Sequence, residues 1–407
     1  MAALRSVLVV GAGLAGANVA FRLRKLGYAG RVVMVGDEKH EAYDRPPLSK
    51  EVLLSAAEHP PLPFDWASLK VDLVLGTAAK SLRRHGSGWG AATTGGELYG
   101  DAVVVATGAR PRLLPVPVTH DCVLTLRTVD DALALRGRLR PSADVAVIGA
   151  GWIGAEVASS AAGLGCRVTV LEAQSAPLAG SLGVAAGARM AGWYEQAGAR
   201  LILGASIARL VPGAVVLSDG ARVAADAIVV GTGVVPNTEW LTTAVDLDVH
   251  GGVVVDCCLQ ASAPGVYAVG DCASYASRRY GRLRTEHWTN AQQSAWSVAS
   301  TLLGERERYD PVPYVWSRQF GRMVQYAGHH EPGDQLLWHA MAGDGQESDL
   351  LQRLPHLPDH AGAVEFVGAQ ELCDIDDGYL GGHGACPYGR RRLKSRYLYP
   401  QGRQAYV

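Results

Sequence analysis

The chain is poor in the features that define disulfide-stapled, metal-bound and membrane-spanning proteins. Its seven cysteines include no C-x-x-C pair and no metal-like spacing, which excludes a disulfide framework and a zinc site of the usual kinds. The odd count fits a reducing compartment. Adjacent Cys257 and Cys258 lie in an apparent strand, GGVVVDCCLQ, where alternation puts neighbours on opposite faces, so both are expected to be inert thiols. Charge of one sign is missing too: 38 basic against 39 acidic residues leave a formal net charge of −1, which argues for no nucleic-acid partner. No run approaches the roughly 20 apolar residues of a membrane span. The start, MAALRSVLVVGAGLAGANVA, has the arginine and short apolar run of a secretory leader. Its glycines fit a strand and turn better, so a cytoplasmic protein is expected.

What is present is size and pattern. At 407 residues, with 48% hydrophobic and 19% charged residues, the chain is long enough for two or three domains, each with its own core. Residues 7–10 (VLVV) read as a buried parallel strand, and Gly11-Ala12-Gly13-Leu14-Ala15-Gly16 follows at once, opening a helix through ANVAFRLRKLG. The first glycine suits a tight turn, the second a close approach to pyrophosphate, and the third the packing of helix on strand. The free N–H groups of the helix start face the phosphates. A second strand, RVVMVG, leads to Asp37, a carboxylate placed to accept hydrogen bonds from a ribose, with Glu38 as its neighbouring rival.

The pattern recurs. DVAVIG supplies a strand, Gly149-Ala150-Gly151-Trp152-Ile153-Gly154 the turn, AEVASSAAGLG the helix, and RVTVLE a strand ending at Glu172. Two dinucleotide sites on one chain are therefore expected. A carboxylate at Glu172 accepts from a free 2′-hydroxyl and repels a 2′-phosphate, and Ala173-Gln174-Ser175 offers no arginine clamp, so NADH is favoured over NADPH.

Further segments narrow the reading. Strands ending at Thr107-Gly108 and Thr232-Gly233, and the later stretch SAPGVYAVGD with Asp271 at a strand end, resemble the glutathione-reductase-type flavoproteins that bind two dinucleotides. Within them, YDRPPLSK (residues 43–50) and EHWTNA (286–291) resemble the ferredoxin reductases that serve cytochrome P450 and aromatic-ring dioxygenase systems, the putidaredoxin reductase and biphenyl dioxygenase reductase family. WSRQ (316–319) matches that family's W-S-D-Q except at Arg318. Residues 38–50 hold no cysteine, so the dithiol relay of disulfide reductases is not expected.

The resemblance implies an α/β fold with two Rossmann-like dinucleotide-binding domains and a C-terminal α+β domain. It implies an FAD domain split between 1–112 and 239–308, an NADH domain at 113–238, and a third domain at 309–407. It implies that NADH gives hydride to FAD and that single electrons pass to a [2Fe-2S] ferredoxin feeding a P450 or Rieske oxygenase. For FAD it implicates Gly11, Gly13, Leu14, Ala15, Gly16, Asp37, Arg45, Lys50, Ala79, Thr107, Gly108, Arg127, Asp271 and Trp288; for the nicotinamide cofactor, Gly149, Gly151, Ile153, Gly154, Glu156, Glu172 and Gly233. Lys50 and Glu156 form an ion pair beside the flavin ring, Trp316 covers the ring, and the helix beginning near Thr289 aims its positive end at the pyrimidine edge. A monomer or weak dimer without nucleic-acid or membrane partners is expected.

Arg278, Arg279, Arg282 and Arg284 are expected to offer a positive surface to an acidic ferredoxin. After about residue 335 the chain shows little of the antiparallel strand pattern with which the family ends, and the basic run from Arg390 to Arg396 reads as a solvated face. An NADH oxidase, a rubredoxin reductase and a flavin-bound redox sensor or scaffold share the same cofactor motifs.

Overall fold

The structure, a computed structural model, describes residues 4–55, 61–117 and 122–330, together with the backbone of strands Gln335–Ala342, Glu347–Leu354 and Ala363–Gly368. Two parallel five-stranded sheets form its centre. In the first, the order is Val266–Ala268, Ala102–Val105, Ser6–Val10, Arg31–Val35, Val71–Val74. In the second, it is Val123–Leu124, Ala227–Val230, Asp144–Ile148, Arg167–Glu172, Arg200–Leu203. Each centres on the strand that precedes a glycine turn. Val7, Leu8, Val9 and Val10 are at most 2% exposed, as befits a strand covered on both faces, and each fully buried aliphatic side chain contributes about 1.5–3 kcal/mol.

The duplication runs deeper than the turns. Each half also has a three-stranded antiparallel sheet inserted before a strand that pairs with its central one, at Ala79–Gly100 before Ala102–Val105 in the first and at Ile207–Ala224 before Ala227–Val230 in the second. The outermost strand breaks the symmetry. In the first sheet it comes from beyond the second turn, at Val266–Ala268; in the second it precedes that turn, at Val123–Leu124. The chain therefore crosses between the halves twice, through an antiparallel ribbon pairing Ala109–Pro111 with Val234–Pro236. Thr107 and Asn237 lock this crossing: Thr107 Oγ1 donates to Asn237 O (2.6 Å), and Asn237 Nδ2 donates to Thr107 O (3.1 Å).

Helix Leu14–Lys25 lies along helix Trp288–Leu302, joined where Trp296 Nε1 donates to buried Asn18 Oδ1 at 3.1 Å. A further five-stranded antiparallel sheet has the order Tyr314–Gln319, Arg322–Ala327, Ala363–Gly368, Glu347–Leu354, Gln335–Ala342. The expectation that strand pattern fades after residue 335 is thus corrected as far as residue 368, because three of these strands begin at or beyond 335; residues 369–407 lie outside the described residues. Their alternation is interrupted by polar residues; Ala363–Gly368 pairs with Arg322–Ala327, Glu347–Leu354 with Ala363–Gly368, and Gln335–Ala342 with Glu347–Leu354. The basic run at 390–396 lies outside the described residues.

A second correction concerns Cys257 and Cys258. The strand expected there stops at Val254, and the cysteines occupy the middle of a turn in which Leu259 N donates to Asp256 O at 3.1 Å. Asp256 causes the break, since its Oδ1 accepts from Cys258 N (2.8 Å) and Gln260 N (2.9 Å), an alternative to strand pairing open to a short carboxylate. The two sulfurs lie on the same side, 3.9 Å apart.

Candidate active site

The two glycine turns are nearly superposable in their contacts. Gly11 N donates to Val35 O at 2.7 Å and Gly149 N to Leu171 O at 2.8 Å, with left-handed φ of 117° and 99°. A Cβ on Gly16 would sit 1.9 Å from Gly11 O, and one on Gly154 2.0 Å from Gly149 O. Those glycines are required by the protein itself. The middle ones are not: a Cβ on Gly13 would meet nothing nearer than Arg45 Nη2 at 3.8 Å, and one on Gly151 nothing nearer than Gly231 O at 4.0 Å. Open space in front of a glycine at a helix N-terminus is what a phosphate group needs to approach the backbone.

Both turns open on one cleft of about 1220 Å³. Of the residues expected to hold the first dinucleotide, Gly11, Gly13, Leu14, Ala15, Asp37, Arg45 and Lys50 line it, as do Ala79, Thr107, Gly108, Arg127, Asp271 and Trp288. From the second half, Gly151, Ile153, Glu156 and Gly233 reach the same cleft, and Trp316 joins them from the third sheet. Gly16, Gly149, Gly154 and Glu172 do not line it; the three glycines lie beneath the turns, in close backbone packing. Glu172 is 9% exposed, and its carboxylate accepts from Ala150 N (2.6 Å) and Gln174 N (2.8 Å), so it buttresses the second turn from within.

Lys50 and Glu156 meet where the halves join. Lys50 follows the short 3-10 turn Pro46–Ser49, and Glu156 projects from the first turns of helix Trp152–Gly163. Lys50 Nζ lies 2.7 Å from Glu156 Oε2, with the side chains 16% and 6% exposed. Two hydroxyls complete the carboxylate's shell. Ser49 Oγ donates to Oε2 (2.5 Å), and Ser317 Oγ donates to Oε1 (2.7 Å) while accepting from Gln319 Nε2 (3.0 Å). A shielded ion pair persists only when its remaining lone pairs are satisfied in this way.

Strand periodicity explains WSRQ. Ser317 and Gln319 share the buried face, at 1% and 0% exposure, while Arg318 stands on the exposed face 3.5 Å from Glu51. The departure at Arg318 therefore leaves the support of Glu156 untouched.

Around the first site, Arg127 Nη2 donates to Asp271 Oδ2 at 2.7 Å. Arg45 is spent on Glu38 Oε1 (2.6 Å) and the Arg127 carbonyl (2.5 Å). Tyr43 also donates to Glu38, so Glu38 is engaged by protein groups while Asp37 is exposed. Trp288 and Trp316 meet edge-on at 5.7 Å between ring centroids, and Trp288 Nε1 donates to Asp44 Oδ1 at 2.7 Å. The N-terminus of helix Trp288–Leu302 meets the cleft, and no acidic residue in its first turn offsets the positive end.

Sequence reasoning missed Ser49, Ser317, Asp44, Asn237 and His287. The first three lie inside motifs already recognised, but their partners are 107, 161 and 244 residues away. His287 lines the cleft with its Nδ1 buried and without a hydrogen-bond partner, and burial lowers its pKa to about 4.

The arginine cluster is less free than expected. Arg279 Nη1 donates to Asp310 O (2.8 Å), Arg282 Nη1 to Ser274 O (2.6 Å), and Arg284 Nη1 to Asp271 O (3.3 Å) and to Glu286. Only Arg278, Arg279 and Arg282 are exposed; Arg284 turns inward beneath Asp271.

Two nucleotide-binding folds that share a cleft, with an ion pair at their junction, define an oxidoreductase built to bring two dinucleotides together. The chain belongs to the pyridine nucleotide-disulphide oxidoreductase family, whose model matches residues 5–295. It is 37% identical to the ferredoxin reductase component of chlorobenzene dioxygenase from Cupriavidus sp. (strain PS12), over 86% of each chain. It is 35% identical to the ferredoxin–NAD(+) reductase component of the biphenyl dioxygenase system of Paraburkholderia xenovorans (strain LB400), over 90% of this chain and 92% of that one. Among solved structures, it resembles the ferredoxin reductase for the CYP199A2 system from Rhodopseudomonas palustris, with a TM-score of 0.82, 33% identity, and coverage of 89% of this chain and 91% of that one. No helix among the described residues is long and apolar enough to cross a membrane.

Proposed function

We propose that this chain is an NADH-dependent ferredoxin reductase that holds FAD and passes electrons singly to a [2Fe-2S] ferredoxin serving a Rieske-type oxygenase or a cytochrome P450. The observation that carries this reading is the shared cleft, with a phosphate-accepting turn from each half and the Lys50–Glu156 pair between them. The printed roles of the relatives agree with it. No described cysteine lines the cleft, so the residues present favour direct delivery to an outside acceptor over a thiol relay.

The residues fit the two cofactors. Gly13 leaves its backbone open to a pyrophosphate, Asp37 and Asp271 offer carboxylates to sugar or ribityl hydroxyls, and Arg127 stands ready to donate to a phosphate or ring oxygen. We assign FAD to residues 1–112 and 239–308 and the nicotinamide cofactor to 113–238, with 309–407 as a third unit. Flavin, when bound, supplies the conversion of a two-electron hydride donor into one-electron steps. The protein's part is positioning and electrostatics. Lys50 and the positive end of helix Trp288–Leu302 place positive potential at the cleft, favouring an anionic reduced ring. Glu156 fixes Lys50 in place, and the tryptophan pair shields the same wall from water. NADH is preferred to NADPH because no cation follows the strand in Ala173–Ser175 to hold a 2′-phosphate, and the similar biphenyl dioxygenase reductase is named for NAD(+).

The test is NADH-driven cytochrome c reduction with and without a [2Fe-2S] ferredoxin. Strong dependence on ferredoxin is expected. Equal rates without it, accompanied by oxygen consumption, overturn the reading in favour of an oxidase.

A further inference from the structure

We propose that Cys257 and Cys258 form a redox-active vicinal dithiol, a two-electron site separate from the flavin cleft, which hydrogen peroxide converts to a disulfide between neighbouring residues. The geometry carries it. The two residues are the central pair of the turn Asp256–Leu259, and their sulfurs sit 3.9 Å apart. Asp256 Oδ1 pins the turn from inside, Tyr309 N holds the Cys257 carbonyl at 2.8 Å, and Leu259 closes it with a left-handed φ of 62°. Rotation of the two side chains, with strain taken up by the backbone between them, brings the sulfurs to bonding distance. Neither cysteine lines the cleft, and the turn is tied to the strand leading to Asp271 through Ala268 N donating to Leu259 O at 3.1 Å.

The two thiols are also chemically unequal. Cys257 is partly exposed, whereas Cys258 is 7% exposed and burial raises its pKa, opposed by the nearby Arg306. Arg306 is held beside the turn by Asp256 Oδ2 at 3.2 Å. Cys257 is therefore the attacking thiol and Cys258 the resolving one. Cys257 sulfur attacks one peroxide oxygen, the O–O bond breaks, and the departing hydroxide takes the thiol proton, giving a sulfenic acid and water. Cys258 sulfur then attacks the Cys257 sulfur, the S–O bond breaks, and a second water leaves with the Cys258 proton. Two thiols are oxidised by two electrons as one peroxide is reduced to two waters. Adjacent Cα atoms are only about 3.8 Å apart, below the usual disulfide span, so the bond is strained and readily reduced.

The experiment uses the full-length flavoprotein, reduced, desalted and treated with stoichiometric hydrogen peroxide, then alkylated, digested and analysed by tandem mass spectrometry. The expected result is an unalkylated peptide containing both residues, lighter by about 2 Da, which takes up two alkyl groups after dithiothreitol. In Cys258→Ser, dimedone should label Cys257. Unchanged flavin absorbance in that variant shows that folding is intact. Full alkylation of both residues after peroxide, pairing of either with another cysteine, or no dimedone adduct in the folded variant overturns the proposal. The readout needs no ferredoxin or NADH, so its failure is distinct from failure of the reductase reading.

Discussion

The two nucleotide turns share a backbone and differ in how they use acid. Strand register makes Val10 the partner of Val35 and Ile148 the partner of Leu171, so Glu172 occupies the position of Gly36, one residue before Asp37. At Gly36 a Cβ would fall 2.6 Å from the Cβ of Ala12, leaving no room for a side chain. In the second half that place is taken by Glu172, whose carboxylate holds the backbone of the turn from below. In the first half the acid is displaced outward, where Asp37 is exposed in the cleft. A strand-end acid at similar sequence spacing is thus a structural buttress in one site and an open acceptor in the other.

Substitutions at the glycines give the largest effects and test how far the turns are equivalent. Gly16→Val and Gly154→Val should each destabilise their half by more than about 4 kcal/mol, seen as collapse of the urea midpoint, because the new Cβ meets a carbonyl oxygen. Gly13→Val and Gly151→Val should fold. The first should lose bound flavin by an order of magnitude, and the second should keep flavin while its KM for NADH rises about tenfold. Loss of flavin in both would show that the halves are not assigned as proposed.

The junction comes next. Glu156→Ala strands the shielded Lys50 ammonium and should cost about 3–5 kcal/mol in urea denaturation, with slowed bleaching of flavin by NADH. Glu156→Gln, which keeps a carbonyl acceptor for one of the Ser49 and Ser317 hydroxyls and turns an amide N–H toward the other, should lose less stability than Glu156→Ala.

His287 provides a pH test of the first half. Its pKa is lowered to about 4 when folded, so between pH 4 and about 6.5 the unfolded chain binds more protons. Its contribution, at most about 3 kcal/mol, is complete above pH 6.5 and is lost as pH falls toward 4. His287→Gln should flatten that part of the stability profile measured by urea titration.

The smallest effects separate the two acids. Glu172→Ala removes two charge-assisted hydrogen bonds and should cost about 1.5–3 kcal/mol, whereas Asp37→Ala should stay within about 0.5 kcal/mol while weakening flavin retention. Equal melting temperatures for the two variants would remove the distinction.

Much of this was legible because it is local. A strand, a glycine turn and a helix are consecutive in the chain, and the first and third glycines answer to carbonyls of their own half. The cleft residues gathered from RPPLSK, EHWTNA and the Asp271 strand were also recovered, since each motif arrives at the end of an element that the sheets aim at one place. What failed had a distant or competing partner. Cys257 and Cys258 read as strand until Asp256 drew the backbone into a turn, and Glu172 read as a ribose acceptor although Ala150 N already occupies it.

The sequence by itself determined two nucleotide turns, their parallel strands and the types of residue that reach a shared cleft, because these follow from periodicity and short-range sterics. Tertiary structure alone decided which carboxylates are spent on the protein and which remain open, that Ser49 and Ser317 clasp Glu156 across 107 and 161 residues, and that two thiols share one side of a turn. Those outcomes depend on which donor lies nearest in space, a quantity set by the packing of one half against the other.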